Sequence, residues 1–150
     1  MDWFLIVGGL IFLGVTLFLD VFGLFIGEKY RSGLSIVPIL LLANWFLGVY
    51  LNLSMWYKLT SKTTWGAWFA LLGAIVTLIL NVMLIPAMGY VGAAWATLVC
   101  YATIMVASYG TGQRVYPIPY DVKMFFISVS LALGLAYAGQ WVSEIGRAHV

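Results

Sequence analysis

The chain has 150 residues, 64% of them hydrophobic and only 8% charged, with a mean hydropathy of +1.06 and a formal net charge of +2. A soluble domain carries roughly 25% charged residues, so this apolar surplus excludes an ordinary water-soluble fold and marks an integral membrane protein. The Lys and Arg are scattered and form no basic stripe interleaved with aromatics, which argues against a nucleic-acid partner and leaves membrane lipid as the expected one.

Crossing a hydrocarbon core of about 30 Å takes about 20 apolar residues at 1.5 Å rise each. Five runs approach or exceed that length, at about 3–26, 34–57, 65–86, 91–110 and 122–142. They are about twice as long as the ~10-residue strands of a membrane barrel and lack strict alternation. The predicted fold is therefore all-α, a polytopic transmembrane helix bundle of about five spans occupying residues 1–143.

The first run follows Met1-Asp2-Trp3, which lacks a basic leader, and it is too long for a signal peptide, so it reads as a retained span. Asp20 is the only formal charge well inside a run. Either it faces a watery cavity as an ion-coupling site for a cation or proton, or the helix ends early and Asp20 sits at the headgroups. Gly8, Gly9 and Gly14 read as packing positions that also let a helix bend.

In the second run Pro38 falls in the first turns, and Asn44, Gly48 and Asn52 follow at spacing four, along one helical face. The third run ends with Thr77, Asn81 and Pro86. Asn44, Asn52 and Asn81 either line a substrate cavity or bond to a neighbouring helix, a contact worth about 1 kcal/mol in membranes. The fourth run opens with Gly89, Gly92, Ala93, Ala96 and Thr97, small residues that let another backbone approach closely. Cys100, the single cysteine, is expected to be inert packing.

The fifth run gives way to a tail, 144–150, that is neither a span nor a convincing cap. Ile145-Gly146-Arg147-Ala148-His149-Val150 can be encoded as ATC GGA AGA GCA CAC GTC, which reads as a common sequencing adapter, so the tail is expected to be non-native and His149 carries no functional weight.

The breaks between runs lie at 27–33, 58–64, 87–90 and 111–121, all short, so successive helices should be antiparallel neighbours. Lys58, Lys62, Arg114 and Lys123 fall on the side of the N-terminus against Lys29 and Arg31 opposite, which places the N-terminus in the cytoplasm. Trp3, Trp56, Tyr57, Trp65, Tyr90, Tyr116 and Tyr120 lie near span ends, as interfacial aromatics do. No phosphate-cradling loop, Cys/His cluster or paired carboxylates are present, so neither catalytic residues nor a cofactor or metal site is expected and the chain does not read as an enzyme.

Three stretches carry a resemblance. Gly33-Leu34-Ser35-Ile36-Val37-Pro38-Ile39-Leu40-Leu41, Asn52-Leu53-Ser54-Met55-Trp56-Tyr57-Lys58-Leu59-Thr60, and Asn81-Val82-Met83-Leu84-Ile85-Pro86 with Gly89-Tyr90-Val91-Gly92-Ala93-Ala94-Trp95-Ala96-Thr97 are similar to polysaccharide exporters. These are lipid-linked oligosaccharide flippases of the multidrug/oligosaccharidyl-lipid/polysaccharide export superfamily. Tyr116-Pro117-Ile118-Pro119-Tyr120-Asp121 resembles the lipopolysaccharide branch.

The resemblance implies part of the C-terminal lobe of a transporter with about 12 to 14 helices, whose two lobes rock about a central cavity. Its substrate would be a polyprenyl-pyrophosphate-linked oligosaccharide, its location the cell inner membrane as a multi-pass protein, and its partner the N-terminal lobe of the same chain. Asn44, Asn52 and Asn81 would meet sugar hydroxyls and Asp20 would couple a cation, with no cofactor. A drug/cation antiporter of the same superfamily is the first alternative. A membrane glycosyltransferase, polymerase or ligase is the second, and would need larger extramembrane loops.

Overall fold

The computed structural model describes residues 2–19, 33–115 and 122–148, and every regular element among them is helical. In chain order these are α1 (Asp2–Leu17), α2 (Val37–Leu53), α3 (Met55–Leu59), α4 (Thr64–Met88), α5 (Tyr90–Val115) and α6 (Val122–Ala148). Three stretches, Gly33–Leu59, Thr64–Met88 and Tyr90–Val115, are long and apolar enough to cross a membrane. They coincide with the second, third and fourth expected spans. The protein is an all-α membrane protein.

The first and fifth expected spans fall on shorter apolar helical stretches, Trp3–Leu17 and Lys123–Ala138. Asp20 lies outside the described residues, as do the 20–32 segment and the Tyr116–Asp121 motif. Past the expected end of the fifth span at 142, the backbone stays helical to Ala148.

The chain divides into two compact units, Met1–Pro38 with Tyr120–Val150, and Ile39–Pro119. In the first, α1 packs against α6. Leu5, Phe12 and Thr16 are buried along α1 at spacings of seven and four, one helical face, while Ala132 and Ala136 are the buried pair on α6. Two alanines one turn apart let the helices approach closely. The Thr16 hydroxyl is buried there without a hydrogen-bond partner among the described residues.

The second unit holds α3, α4, α5 and nearly all of α2. Pro38 is the second residue of α2, where a missing backbone N–H costs least. Ser54 separates α2 from α3 without breaking the helical ladder, since its N–H reaches the Tyr50 carbonyl at 2.8 Å and its hydroxyl donates to the Leu51 carbonyl at 2.6 Å. The chain then stops at a left-handed Ser61 (φ 56°). Lys62 N–H returns to the Tyr57 carbonyl at 2.9 Å and Ser61 N–H to the Lys58 carbonyl at 3.3 Å, the paired bonds of a Schellman cap.

At the opposite end α4 and α5 form a hairpin with Gly89 as the single residue between them. The expected break at 87–90 thus shrinks to one residue, because Gly89 at φ 59° and ψ −135° turns the chain in a conformation nearly closed to other residues. Three residues on, a β-carbon at Gly92 would collide with the Leu84 carbonyl, so the absence of a side chain there lets the hairpin close. The small residues expected to admit a neighbouring backbone do so at Gly92.

Helix α5 buries a row at spacing four along its length: Gly92, Ala96, Cys100, Ile104, Ser108 and Gly112. At 100° per residue each step of four advances the row by about 40°, and five steps carry it about 200° around the helix. One row can therefore serve two neighbours. Near its start it meets α4, with Leu84 on Gly92 and with Cys100 and Ile104 against Gly73. At its end it meets Trp56 of α3 on Gly112.

Candidate functional site

Asn44 is exposed on α2, and its amide donates to the Leu40 carbonyl of the same helix at 2.8 Å. Asn52, two turns on, is half-buried and donates likewise to Gly48 at 3.0 Å. Both therefore return to their own helix, where helix-to-helix bonds were the main alternative to a cavity. A free amide one turn below a carbonyl reaches it without any neighbour. Several hydroxyls in the unit do the same, with Thr97 donating to Ala93, Thr103 to Val99 and Thr111 to Ala107 at 2.7 to 2.9 Å.

Asn81 differs. It is half-buried on α4, and its side-chain oxygen is fully shielded from solvent with no hydrogen-bond partner among the described residues. A buried amide oxygen left unpaired costs about 1–3 kcal/mol, so such a group is retained where something else repays it. No hydrogen bond joins Asn81 to Asn44 or Asn52. Of the three candidates, Asn81 alone holds a buried side-chain oxygen without a partner among the described residues.

An aromatic cluster occupies the other end of the unit. Trp56, Tyr57 and Phe69 are buried together, with Tyr50, Trp65 and Ala107 packed against them. The rings meet largely edge-on or tilted, Trp56 on Tyr57 at 5.4 Å between centroids and Trp56 on Trp65 at 6.1 Å, arrangements that aromatic quadrupoles favour. The Tyr50 and Tyr57 hydroxyls share a hydrogen bond at 3.3 Å. Reading Trp56 and Tyr57 as interfacial aromatics is thus corrected: they are 1% and 6% exposed and form core. Trp3 and Tyr90, at 82% and 54%, keep the exposure expected of interfacial residues.

A signal for the cluster's contact with α5 lies in the sequence, in the tail of the small-residue row. The small residues that open the fourth run continue at spacing four, from Gly92 and Ala96 on to Ser108 and Gly112. Gly112 is where the cluster docks, since a β-carbon there would sit 2.9 Å from Trp56 Nε1. Both the Trp56 indole N–H and the Ser108 hydroxyl, one turn before Gly112, are buried without partners among the described residues.

Charge is confined to that same end. Residues 39–119 contain Lys58, Lys62 and Arg114 and no Asp or Glu. All three cations are exposed. Lys58 and Lys62 flank the cap of α3, and Arg114 follows Gly112 by two residues, so the Trp56 contact brings both groups to one end of the unit. Among the described residues no group of His, Cys, Asp and Glu is placed to hold a metal ion, and the Cys100 thiol is buried, donating to the Gly73 carbonyl at 3.4 Å.

Compared with known proteins, the chain matches no family model, no curated protein and no solved structure.

Proposed function

We propose that this chain is part of a transporter that carries a polyprenyl-pyrophosphate-linked oligosaccharide across the cell inner membrane by alternating access, for polysaccharide or lipopolysaccharide biosynthesis. The observation that carries the reading is the segment from Asn81 to Thr97, the most recognisable part of the resemblance to polysaccharide exporters. It folds as the α4–α5 hairpin, with Gly89 making the turn, Gly92 admitting the Leu84 backbone and Asn81 holding a buried, unpaired amide oxygen. On this reading the oxygen, shielded in the state seen here, is uncovered to sugar hydroxyls as the lobes rock.

The unit's cations sit at one end: α4, which carries Asn81, holds none, and Arg114 lies in the last turn of α5, at the end away from Asn81. On this reading the pyrophosphate is met either by the N-terminal lobe that the reading supplies as partner or by a loop cation such as Arg31, and the sugar by this lobe. A flipping assay with the complete transporter in liposomes tests the proposal: a fluorescent lipid-linked oligosaccharide should cross, and cationic dyes should not. Export of cationic dyes without lipid-linked sugar would move the chain to the drug/cation antiporters.

A further inference from the structure

Two polar groups at the contact of α3 with α5 are buried without partners among the described residues, the Trp56 indole N–H and the Ser108 hydroxyl, on residues 1% and 0% exposed. The Ser108 oxygen is an exception on its helix. Thr97, Thr103 and Thr111 of α5 each donate to the carbonyl four residues back, and Ser108 does not. That local bond is the nearest one an apolar helix offers a hydroxyl, so an oxygen turned off it implies a partner across the interface.

Helix geometry sets Ser108 against the aromatic cluster. At about 100° per residue, Ala107 lies about 100° to one side of Ser108 and Gly112 about 40° to the other. Ala107 packs on the cluster of Trp56, Tyr57 and Phe69, and Gly112 carries the Trp56 indole, so the same rings cover the face between them, which is that of Ser108. The register of the hairpin agrees. Gly73 of α4 meets Cys100 and Ile104, and since α4 and α5 run antiparallel, Phe69, one turn earlier on α4, falls opposite Ser108, one turn further along α5.

The orientation of the indole follows from its distances to Gly112. A β-carbon there would stand 2.9 Å from Nε1, 3.0 Å from Cδ1 and 3.5 Å from Cε2, three atoms of the five-membered ring together. Gly112 therefore lies under the ring face, and the N–H, which is in the ring plane, runs along the surface of α5 and not into the glycine. Positions one turn apart on a helix have β-carbons about 5–6 Å apart, roughly two hydrogen-bond lengths. From Gly112 to Ser108 is one such step.

We infer that Trp56 and Ser108 hold a single water molecule between them, which accepts from the indole N–H and hydrogen-bonds the serine hydroxyl. Both groups are neutral and both are sealed from solvent, so the occupant is small, uncharged and able to accept from one group while bonding the other. Water meets all three conditions, and buried waters characteristically join polar groups that the fold itself leaves unpaired. Without it each group would lower the folding equilibrium constant by about tenfold or more. The site stands whether or not the chain transports anything.

Water-to-indole cross-relaxation tests it. The full chain, with nitrogen-15 in its indoles, is placed in lipid nanodiscs and read by NMR in the laboratory and rotating frames, which separate held water from bulk; the Trp56 signal is the one lost in Trp56→Phe. A held water is expected at the Trp56 N–H, its contact weakening by about fivefold or more in Ser108→Ala. Ser108→Ala should also lower the folding equilibrium constant by about tenfold, and by clearly less in a Trp56→Phe background, a cycle that cancels the packing lost with the indole. Absence of held water at the native Trp56 N–H would overturn the inference, even if the two residues were coupled, because the coupling would then be a direct bond. A Ser108→Ala chain more stable than the native one would overturn it by making the hydroxyl a bare packing defect. Equal cost of Ser108→Ala with and without the indole would overturn it too, placing the two groups in separate sites.

Discussion

The indole of Trp56 rests on Gly112, so close that a β-carbon on the glycine would stand 2.9 Å from Nε1 and 3.0 Å from Cδ1. This contact joins the short helix α3 to the far end of α5, and it exists because the small-residue row of α5 has wound from the α4 side at Gly92 to the α3 side at Gly112. A ring as large as indole, 1% exposed, leaves no slack for accommodation.

Gly112→Ala should therefore destabilise the unit by about 1–3 kcal/mol, the usual cost of overpacking, despite the better helix propensity of alanine. Gly110, two residues away with nothing within 4 Å of a β-carbon, is the control. Gly110→Ala should be neutral or stabilising by up to about 1 kcal/mol. Thermal unfolding in detergent, followed by tryptophan emission, measures both, and equal effects at the two sites would dissolve the docking argument.

A similar pairing tests the hairpin. Gly92→Ala meets the Leu84 carbonyl, which belongs to helix backbone and cannot rotate aside, and Gly89→Ala is strained by its positive φ whatever space surrounds it. Each should cost on the order of 1–3 kcal/mol by the same unfolding measurement. Gly14→Ala, in open space on α1, should cost nothing measurable. A hairpin indifferent to Gly89→Ala would mean the turn has another conformation.

These glycines also show what the sequence could and could not reveal. Hydrophobic run length identified Thr64–Met88 and Tyr90–Val115 within a few residues, since only helix satisfies every backbone group in lipid. The small residues after Gly89 announced close approach, and Gly92 makes it. What stayed hidden was partner identity. Trp56 and Tyr57 sit at a span end in sequence, where aromatics commonly anchor at the interface, and only the fold places Gly112 and Gly66 beneath their rings. Likewise Asn44, Asn52 and Asn81 read alike along the chain, but their hydrogen bonds separate them, two closing on their own helices and one left open.

Topology can be read with single cysteines in a Cys100→Ala background. A helix of 25 residues separates the α3–α4 turn from the α4–α5 turn, about 37 Å, enough to put Ser61 and Ala87 on opposite sides of a bilayer. Both positions are exposed. With the Lys58, Lys62 and Arg114 end in the cytoplasm, Ala87→Cys should react with an impermeant maleimide in intact cells, and Ser61→Cys only after permeabilisation. The reverse pattern would invert the topology, and labelling of both from outside would deny that α4 spans.

Asn81 yields the most diagnostic substitution, because its structural and functional roles predict opposite signs for stability. Its buried oxygen has no partner among the described residues, so in the resting protein it carries a desolvation penalty and no return. Replacing it with leucine removes that penalty and adds apolar surface within an apolar helix, and Asn81→Leu should raise stability by about 1–3 kcal/mol. If the oxygen receives a sugar hydroxyl during transport, the same variant should lose flipping of lipid-linked oligosaccharide in the complete transporter at matched abundance. Greater stability with lower activity is the signature of a site kept for function. Asn44→Leu should show neither effect on activity, because the Asn44 amide is exposed and already bonded to Leu40. Paired unfolding and flipping measurements decide the matter. A stabilised Asn81→Leu variant with full transport would make the unpaired oxygen a packing defect, and a destabilised one would show that the amide has a structural partner after all.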